Sequence, residues 1–210
     1  LAIISSQLNL YQKECTRGIN NTAKRLQAID SATQRLKALV QQWLSTDRLH
    51  YAELSAEKKP LDLAAYLDEK HSTLQHMHQR HTLRTEVGDQ PVWVNVDAEL
   101  LDAVLFNLVD NACKYSPASS TVSIRLSIKE GFAEMAITDQ GTGIPEHQLE
   151  IIWDDYYRGE AKRLASGLGL GLSFVKRIIE LHQGDILLES EFGQGSCFCT
   201  RWPLLDDTSS

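Results

Sequence analysis

Apolar residues in the first fifty positions recur at intervals of three and four. They run as Leu1, Ile4, Leu8 and Tyr11, then after Gly18 as Ile19, Leu26, Ile29, Leu36, Val40 and Trp43, with Thr22 and Thr33 as polar members of the seam. This spacing marks helices packed along a narrow stripe. Residues 1–53 hold one glycine and no proline. Gly18, followed by Asn20 and Asn21, is therefore the predicted turn between two antiparallel helices, although one continuous amphipathic helix fits the same spacing. The second arm, ending near His50, would run roughly 45–50 Å and the first about 25 Å. Val40, Trp43 and Leu44 at its far end are then expected to need cover from an upstream continuation of the first helix, from a second subunit, or from both. The chain is expected to begin inside a helix, as a fragment.

Downstream the period changes. Residues 54–60 break the seam and read as a linker ending at Pro60, after which Asp62 is placed to cap a helix over about 63–80. Val92, Val94 and Val96 alternate as a strand, and Asp97 is placed to cap a helix from Ala98 to Tyr115, with Leu101, Val104, Leu105, Leu108 and Val109 on its buried face. Val122, Ile124, Leu126 and Ile128 alternate without a break, and Glu130-Gly131 turns the chain into a second strand over 132–139, a hairpin. A helix over 170–183 and a hairpin over 184–203, turning near Phe192 to Gly195, complete the set. Residues 206–210 read as a frayed tail. This order of helices and antiparallel strands predicts an α+β fold, a two-layer α/β sandwich preceded by an antiparallel helical hairpin. The predicted divisions are 1–56, 57–205 and 206–210.

Composition narrows the function classes. Of 210 residues 42% are hydrophobic, enough for one core and a helical appendage. No apolar run is long enough to span a bilayer, and the first residues are not expected to act as a signal peptide. Lys+Arg 21 against Asp+Glu 28 gives a net charge of -7, which argues against nonspecific nucleic-acid binding. Cys15, Cys113, Cys197 and Cys199 form no C-x-x-C pair and read as cytoplasmic thiols, mostly buried, with Cys197 and Cys199 on one face of a strand in the core. His78 and His81 stand one helical turn apart, but no cysteine or converging carboxylate accompanies them. Their segment reads as a solvated helix end rather than a metal site.

Four clusters carry candidate chemistry. On a helix, Asn107, Asn111, Lys114 and Tyr115 share one side, offering two amides, an ammonium and a phenol. That stripe can supply a hard-metal ligand, a phosphate partner and an aromatic wall, and it also fits the solvent face of an ordinary helix. Asp139-Gln140-Gly141-Thr142-Gly143-Ile144 follows a strand, where an Asp can accept from an exocyclic amine and glycines let backbone pass close to a ligand; many plain turns look the same. Gly167-Leu168-Gly169-Leu170-Gly171 runs into a helix, whose first N–H groups can meet phosphate. It does not fit a dinucleotide-binding loop, since Tyr157–Ser166 is loop-like and carries Arg158, Lys162 and Arg163 rather than a strand. Ile152-Trp153-Asp154-Asp155-Tyr156-Tyr157-Arg158 sets three aromatics and an arginine at a helix-to-loop boundary, and taken alone it reads first as aromatic core packing with an exposed Arg158.

Taken in their order along the chain (Asn107–Tyr115, Asp139–Ile144, Ile152–Arg158, Gly167–Gly171), the four clusters resemble the asparagine, first glycine, aromatic and second glycine boxes of the histidine-kinase ATP-binding domain. That domain belongs to the Bergerat-fold (GHKL) superfamily with gyrase, Hsp90 and MutL. Gly193-Gln194-Gly195-Ser196-Cys197-Phe198 resembles the family's closing strand, so the match spans about residues 60–203. Residues 1–53 resemble the dimerisation and phosphotransfer hairpin of such kinases. The resemblance implies a mixed sheet with helices on one face, and ATP and Mg2+ as cofactors. It implies that Asn111 ligates Mg2+ and Asp139 accepts from the adenine amine. Gly141, Gly143 and Ile144 would line the base, with Lys114 at phosphate and Tyr115 and Tyr157 near base or ribose. Gly167, Leu168, Gly169, Leu170 and Gly171 would form a mobile lid hinge and phosphate turn, and Arg158 would stabilise the transferring phosphoryl group. Trp153 and Tyr156 stand where phenylalanines are usual, keeping a packing role.

Asn107 stands where hydrolysing relatives carry a glutamate that activates water. An amide cannot act as that base, so the resemblance favours phosphotransfer over hydrolysis. The expected activity is protein histidine kinase, with a homodimer through the hairpin and a response-regulator receiver domain as partners. The full protein is expected at a bacterial inner membrane through upstream segments, with this part cytoplasmic. None of the seven histidines (His50, His71, His76, His78, His81, His147, His182) has the context of the phosphoacceptor box, which is expected just upstream of Leu1. This chain is therefore expected to bind ATP without phosphorylating itself. A regulatory nucleotide-binding module acting through heterodimers is the alternative; the intact Asn111, Lys114, Asp139 and glycine set weighs against it. The heptad hairpin argues against a serine kinase of the same superfamily.

Overall fold

The computed structural model describes residues 56–157 and 169–205. By its packing the chain divides into Leu1–Arg48 and Leu49–Ser210, and all described residues belong to the second unit. The predicted hairpin over 1–53, the segment around Arg158, Gly167 and Leu168, and the tail over 206–210 lie outside the described residues.

The first strand, β1 (Lys59–Asp62), lies where a linker ending at Pro60 was expected. It pairs antiparallel with β3 (Trp93–Val96), Pro60 opposite Asn95. A two-stranded ribbon tolerates a proline because one edge needs no N–H donor. Asp62 then caps α1 (Leu63–Met77), accepting from Ala64 N at 3.1 Å. The same Asp62 oxygen accepts from Val92 N at 2.9 Å, so the cap also pins the approach to β3. α1 ends a turn earlier than its sequence suggested, at His78.

β2 (Thr82–Glu86) was not legible in the sequence, because its five residues bury only Leu83. Tertiary contacts build it. Gln75 on α1 accepts from Leu83 N and donates to His81 O, each at 2.9 Å. β2 then lies parallel to β4 (Thr121–Lys129), with Leu83 opposite Val122.

α2 (Ala98–Tyr115) matches its predicted span, and Asp97 accepts from Glu99 N and Leu100 N. Leu101, Val104, Leu105, Leu108 and Val109 are all fully buried. β4 turns through Glu130 and Gly131, both at positive φ (52° and 81°), into β5 (Phe132–Thr138). That pair of left-handed residues is the tight hairpin turn implied by Glu130-Gly131. Two short 3-10 turns, Glu146–Gln148 and Ile151–Trp153, precede the undescribed segment. α3 (Gly171–Leu181) and a hairpin of β6 (Asp185–Glu191) and β7 (Gly195–Pro203) follow.

The five-stranded sheet has the order β2-β4-β5-β7-β6, antiparallel except for the β2–β4 pair. The mixed sheet and its helices form the predicted α+β sandwich. Side chains alternate across it: Val122, Ile124, Met135, Ile137, Phe198 and Trp202 face the helices and are buried. Cys197 and Cys199 fall on the other, open face and are only half-buried, which corrects the core placement read from the sequence. Counting by two from Phe198 and Trp202 puts odd-numbered β7 residues outward. Cys113 does lie in the core, where burial pushes its thiol up to about 12.

Candidate nucleotide-binding site

The loop after β5 is built around a buried carboxylate. Asp139 is 7% exposed, and its main-chain N–H donates to Ser196 O on β7 at 2.9 Å. Its Oδ1 accepts from Gly141 N at 2.7 Å. Burial raises its pKa above the usual aspartate value, and backbone hydrogen bonds from Gly141 and Ser196 offset this only in part. An acidic group in this state is positioned to accept one further strong hydrogen bond.

Gly141 is required by close approach. A Cβ there would sit 2.6 Å from Tyr115 O and 2.7 Å from Asp139 Oδ1. The space thus saved brings the end of α2 against the loop, where Thr142 N donates to Tyr115 O at 3.3 Å. Gly143 (φ 62°) presses against the main chain at Glu191, and Ile144 N donates to Ser190 Oγ at 2.8 Å. The β6–β7 turn thereby supports the loop from outside.

That support was missed in the sequence. Ser190 Oγ contacts both Gly195 O and Ser196 Oγ at 2.9 Å, and Gly195 lies against Asp139 O. The available signal was the Gly193-x-Gly195-Ser196 pattern, whose partners could not be known before β5 and β7 were paired.

α2 supplies the second wall. Asn107 and Asn111 are half-buried, as is Lys114, and Tyr115 is exposed at its end. Asn107 Nδ2 donates to Ala103 O at 2.7 Å, which leaves Oδ1 pointing towards α3. A Cβ on Gly171 would lie 3.0 Å from that oxygen. The Lys114 ammonium sits 5.5 Å from the centre of the Tyr115 ring, a cation–π distance.

α3 supplies the third wall. Gly169 (φ 75°) lies against the main chain of Tyr156 and Tyr157, bringing the two flanks of the undescribed segment together. The Leu170 side chain is buried, so towards a ligand it offers main chain. Leu170 at the N-cap of α3 makes no side-chain cap, and among the described residues no other cap is seen. The first N–H groups of α3 therefore remain available to an anion. Asp155 braces this end by accepting from Arg177 at 2.6 Å, and Ser173 and Arg177 hold its carboxyl below the usual range.

Of the aromatics, Trp153 packs edge-on to Phe198, with centroids 6.1 Å apart, and Tyr157 joins the core. Tyr156 does not pack as its position suggested. It is 69% exposed at φ 66°, because the left-handed turn swings it outward. A cavity on the open sheet face is lined by Arg84, Glu86, Thr121, Ser123, Thr138 and Gln140, none of them a predicted site residue.

Residues 96–206 match the family of histidine kinase-, DNA gyrase B- and HSP90-like ATPases. The chain belongs to this family. Within it, the chain is homologous to sensor histidine kinases. It is 30% identical over 210 residues to the signal transduction histidine-protein kinase ArlS of Staphylococcus epidermidis, covering 98% of this chain and 46% of ArlS. The chain thus spans about half of that relative. The structure of the mycobacterial sensor histidine kinase MprB superposes with a TM-score of 0.61 at 28% identity, over 70% of this chain and 97% of that one. The fold of full-length ShkA, solved with AMPPNP, matches with a TM-score of 0.70 at 24% identity, over 87% of this chain and 38% of that one. The kinase-type ATP-binding fold implied by the glycine and asparagine boxes is therefore present. Among the described residues no group of three or more His, Cys, Asp or Glu could hold a metal ion, and no helix is long and apolar enough to cross a membrane.

Proposed function

We propose that this chain is the ATP-binding kinase core of a sensor histidine kinase. It would hold Mg·ATP between the Asp139 loop, α2 and α3, and direct the γ-phosphoryl group to a histidine nitrogen for relay to a response-regulator aspartate. The observation that carries this reading is the buried Asp139 carboxylate at one end of a site whose other end is an uncapped helix N-terminus. A base with an exocyclic amine suits the first, and a polyphosphate suits the second.

The donor set fits the nucleotide. Asp139 accepts from the amine, with Gly141, Gly143 and Ile144 shaping the loop beneath the base and Tyr115 and Tyr157 beside it. Asn111 offers an amide oxygen, the hard ligand Mg2+ prefers alongside phosphate oxygens. Lys114 neutralises phosphate charge, and the main chain of Gly169, Leu170 and Gly171 meets it; the resemblance adds Arg158, Gly167 and Leu168 to the same group. Bound Mg·ATP would supply the transferable phosphoryl group and a stabilised leaving group. Asn107 cannot take a proton from water, so the site favours transfer to a positioned nucleophile. The AMPPNP held by ShkA, a protein of the same fold, agrees with this assignment.

In the whole protein, the segment over 1–56 would pair two copies through its helical seam. A receiver domain would take the phosphoryl group, and further segments would hold the kinase at a bacterial inner membrane, leaving this part in the cytoplasm. Calorimetric titration of the chain with ADP and Mg2+ tests the site. A chain extended upstream through an acceptor box should then incorporate acid-labile, base-stable label from ATP. A folded chain that binds no nucleotide would overturn the reading.

A further inference from the structure

His182 follows α3 and is 4% exposed, edge-on to Trp202 with ring centroids 5.6 Å apart. Its Nδ1 lies 2.7 Å from Ile178 O, which can only accept, so Nδ1 carries the proton. Nε2 is then the acceptor, and Asp97 N donates to it at 3.0 Å. These two bonds fix the ring as one neutral tautomer.

Asp97 is the N-cap of α2, its Oδ1 accepting from Glu99 N and Leu100 N. Its Oδ2 accepts from Glu57 N at 3.0 Å, and the neighbouring Lys58 ammonium donates to Leu181 O at 2.6 Å. Three pieces of chain meet at this bracket: the end of α3, the start of α2, and residues 57–58. α2 carries Asn107, Asn111 and Lys114, while α3 starts at Gly171, which faces Asn107.

We propose that His182 is a positioning residue for the nucleotide site, setting the register of α2 against α3 from the ends remote from the ligand. This rests on the nucleotide reading above. The helices otherwise meet within one apolar core, to which α2 gives Leu101, Val104 and Leu105 and α3 gives Val175, Ile178 and Ile179. Apolar burial is non-directional and tolerates small slides. A hydrogen bond to a fixed ring nitrogen does not. A slide at the bracket would change the gap between Asn107 and Gly171, where the side of Gly171 leaves little spare room.

Protonating Nε2 removes the acceptor and breaks the bracket. The charged groups facing the ring are Lys58, which opposes the cation, and Asp97, which favours it; Ile178 O favours it as well. Burial is the largest influence and holds the pKa below the usual histidine value. A base depressed in the folded state stabilises it above its ordinary pKa, and loses that contribution as pH falls through the depressed value. The bracket is therefore intact at neutral pH and opens in acid.

The test is calorimetry of the full chain with ADP and Mg2+, for wild type, His182→Gln and His182→Phe, from neutral pH into acid. Phe cannot accept from Asp97 N and should weaken binding about tenfold. Gln retains an acceptor without a titrating ring and should restore most of the affinity. Wild-type affinity should show an acid limb below the histidine range that His182→Gln lacks, while any limb from Asp139 stays in both. A folded His182→Phe that binds as wild type, or a His182→Gln that keeps the whole acid limb, would overturn the proposal. If Phe prevents folding, the Gln pH comparison decides alone. A wild type that binds no nucleotide would instead sink the nucleotide reading. Positioning is then read without ligand, from amide resonances of Asp97 and Gly171 that titrate together in wild type but not in His182→Gln; independent titration overturns it.

Discussion

The Asn107 amide on α2 and the first residue of α3, Gly171, stand so close that a Cβ on the glycine would lie 3.0 Å from Asn107 Oδ1. Asn107 cannot readily turn away, because its Nδ2 is engaged with Ala103 O. Gly171→Ala should gain a little helix propensity, about 0.5–1 kcal/mol, and lose part of it to that contact. Its melting temperature should therefore change little. Nucleotide affinity should fall several-fold, because the stripe from Asn107 to Lys114 is displaced. A thermal melt beside a calorimetric titration separates the two effects.

Asp139 sets function against stability. Its carboxyl pKa is raised in the folded state, chiefly by burial. A raised acid stabilises the fold below its ordinary pKa, and that contribution is lost as pH rises through the raised value. Nucleotide-free Asp139→Asn should therefore melt higher than wild type at neutral pH, with the gain vanishing in strong acid. Nucleotide binding should drop by about 2 kcal/mol, because an amide already accepting from Gly141 N turns a donor towards the base amine. A variant that melts no higher at neutral pH would contradict this assignment of burial.

The Trp202 indole depends on Thr200 for its hydrogen bond. The fully buried indole donates to Thr200 Oγ1 at 2.9 Å, and that hydroxyl donates in turn to Met135 O at 3.2 Å. Thr200→Val keeps the shape and strands the indole N–H. Urea denaturation should show a loss of about 1–3 kcal/mol with an unchanged slope.

Asp102 joins α1 to α2. It accepts from the Tyr66 hydroxyl at 2.6 Å and pairs with Lys70 at 2.8 Å. Burial is the main cause that raises the Tyr66 pKa, so that hydroxyl stays a donor throughout the accessible pH range. Tyr66→Phe and Asp102→Asn, separately and together, should show a coupling of about 1 kcal/mol in a double-mutant cycle. Additive losses would show that the bond contributes nothing net.

The elements legible in the sequence were those whose signal is local. Asp62 and Asp97 marked helix starts because a cap acts within three residues. The β4–β5 hairpin showed through four alternating apolar residues and a turn whose two residues take positive φ. The site boxes were legible by type and order, which was enough to identify the family. β1 and β2 were not, because each is held by remote partners: β1 by Asn95 and its neighbours on β3, β2 by Gln75 and β4. The misplaced Cys197 and Cys199 have the same origin, since period two gives two faces without saying which one the helices cover.

By itself the sequence determined where the helices start, which strands pair across tight turns, and which residue types the nucleotide site contains. All of these depend on neighbours within a few positions. Only the tertiary structure decided that Gly195 and Ser190 hold the Asp139 loop, that Gly171 faces Asn107, and that His182 ties α3 to the cap of α2. Those relationships join residues up to 85 positions apart. No local preference encodes them, because they exist only once the sheet order has brought β7, β5 and the two helices together.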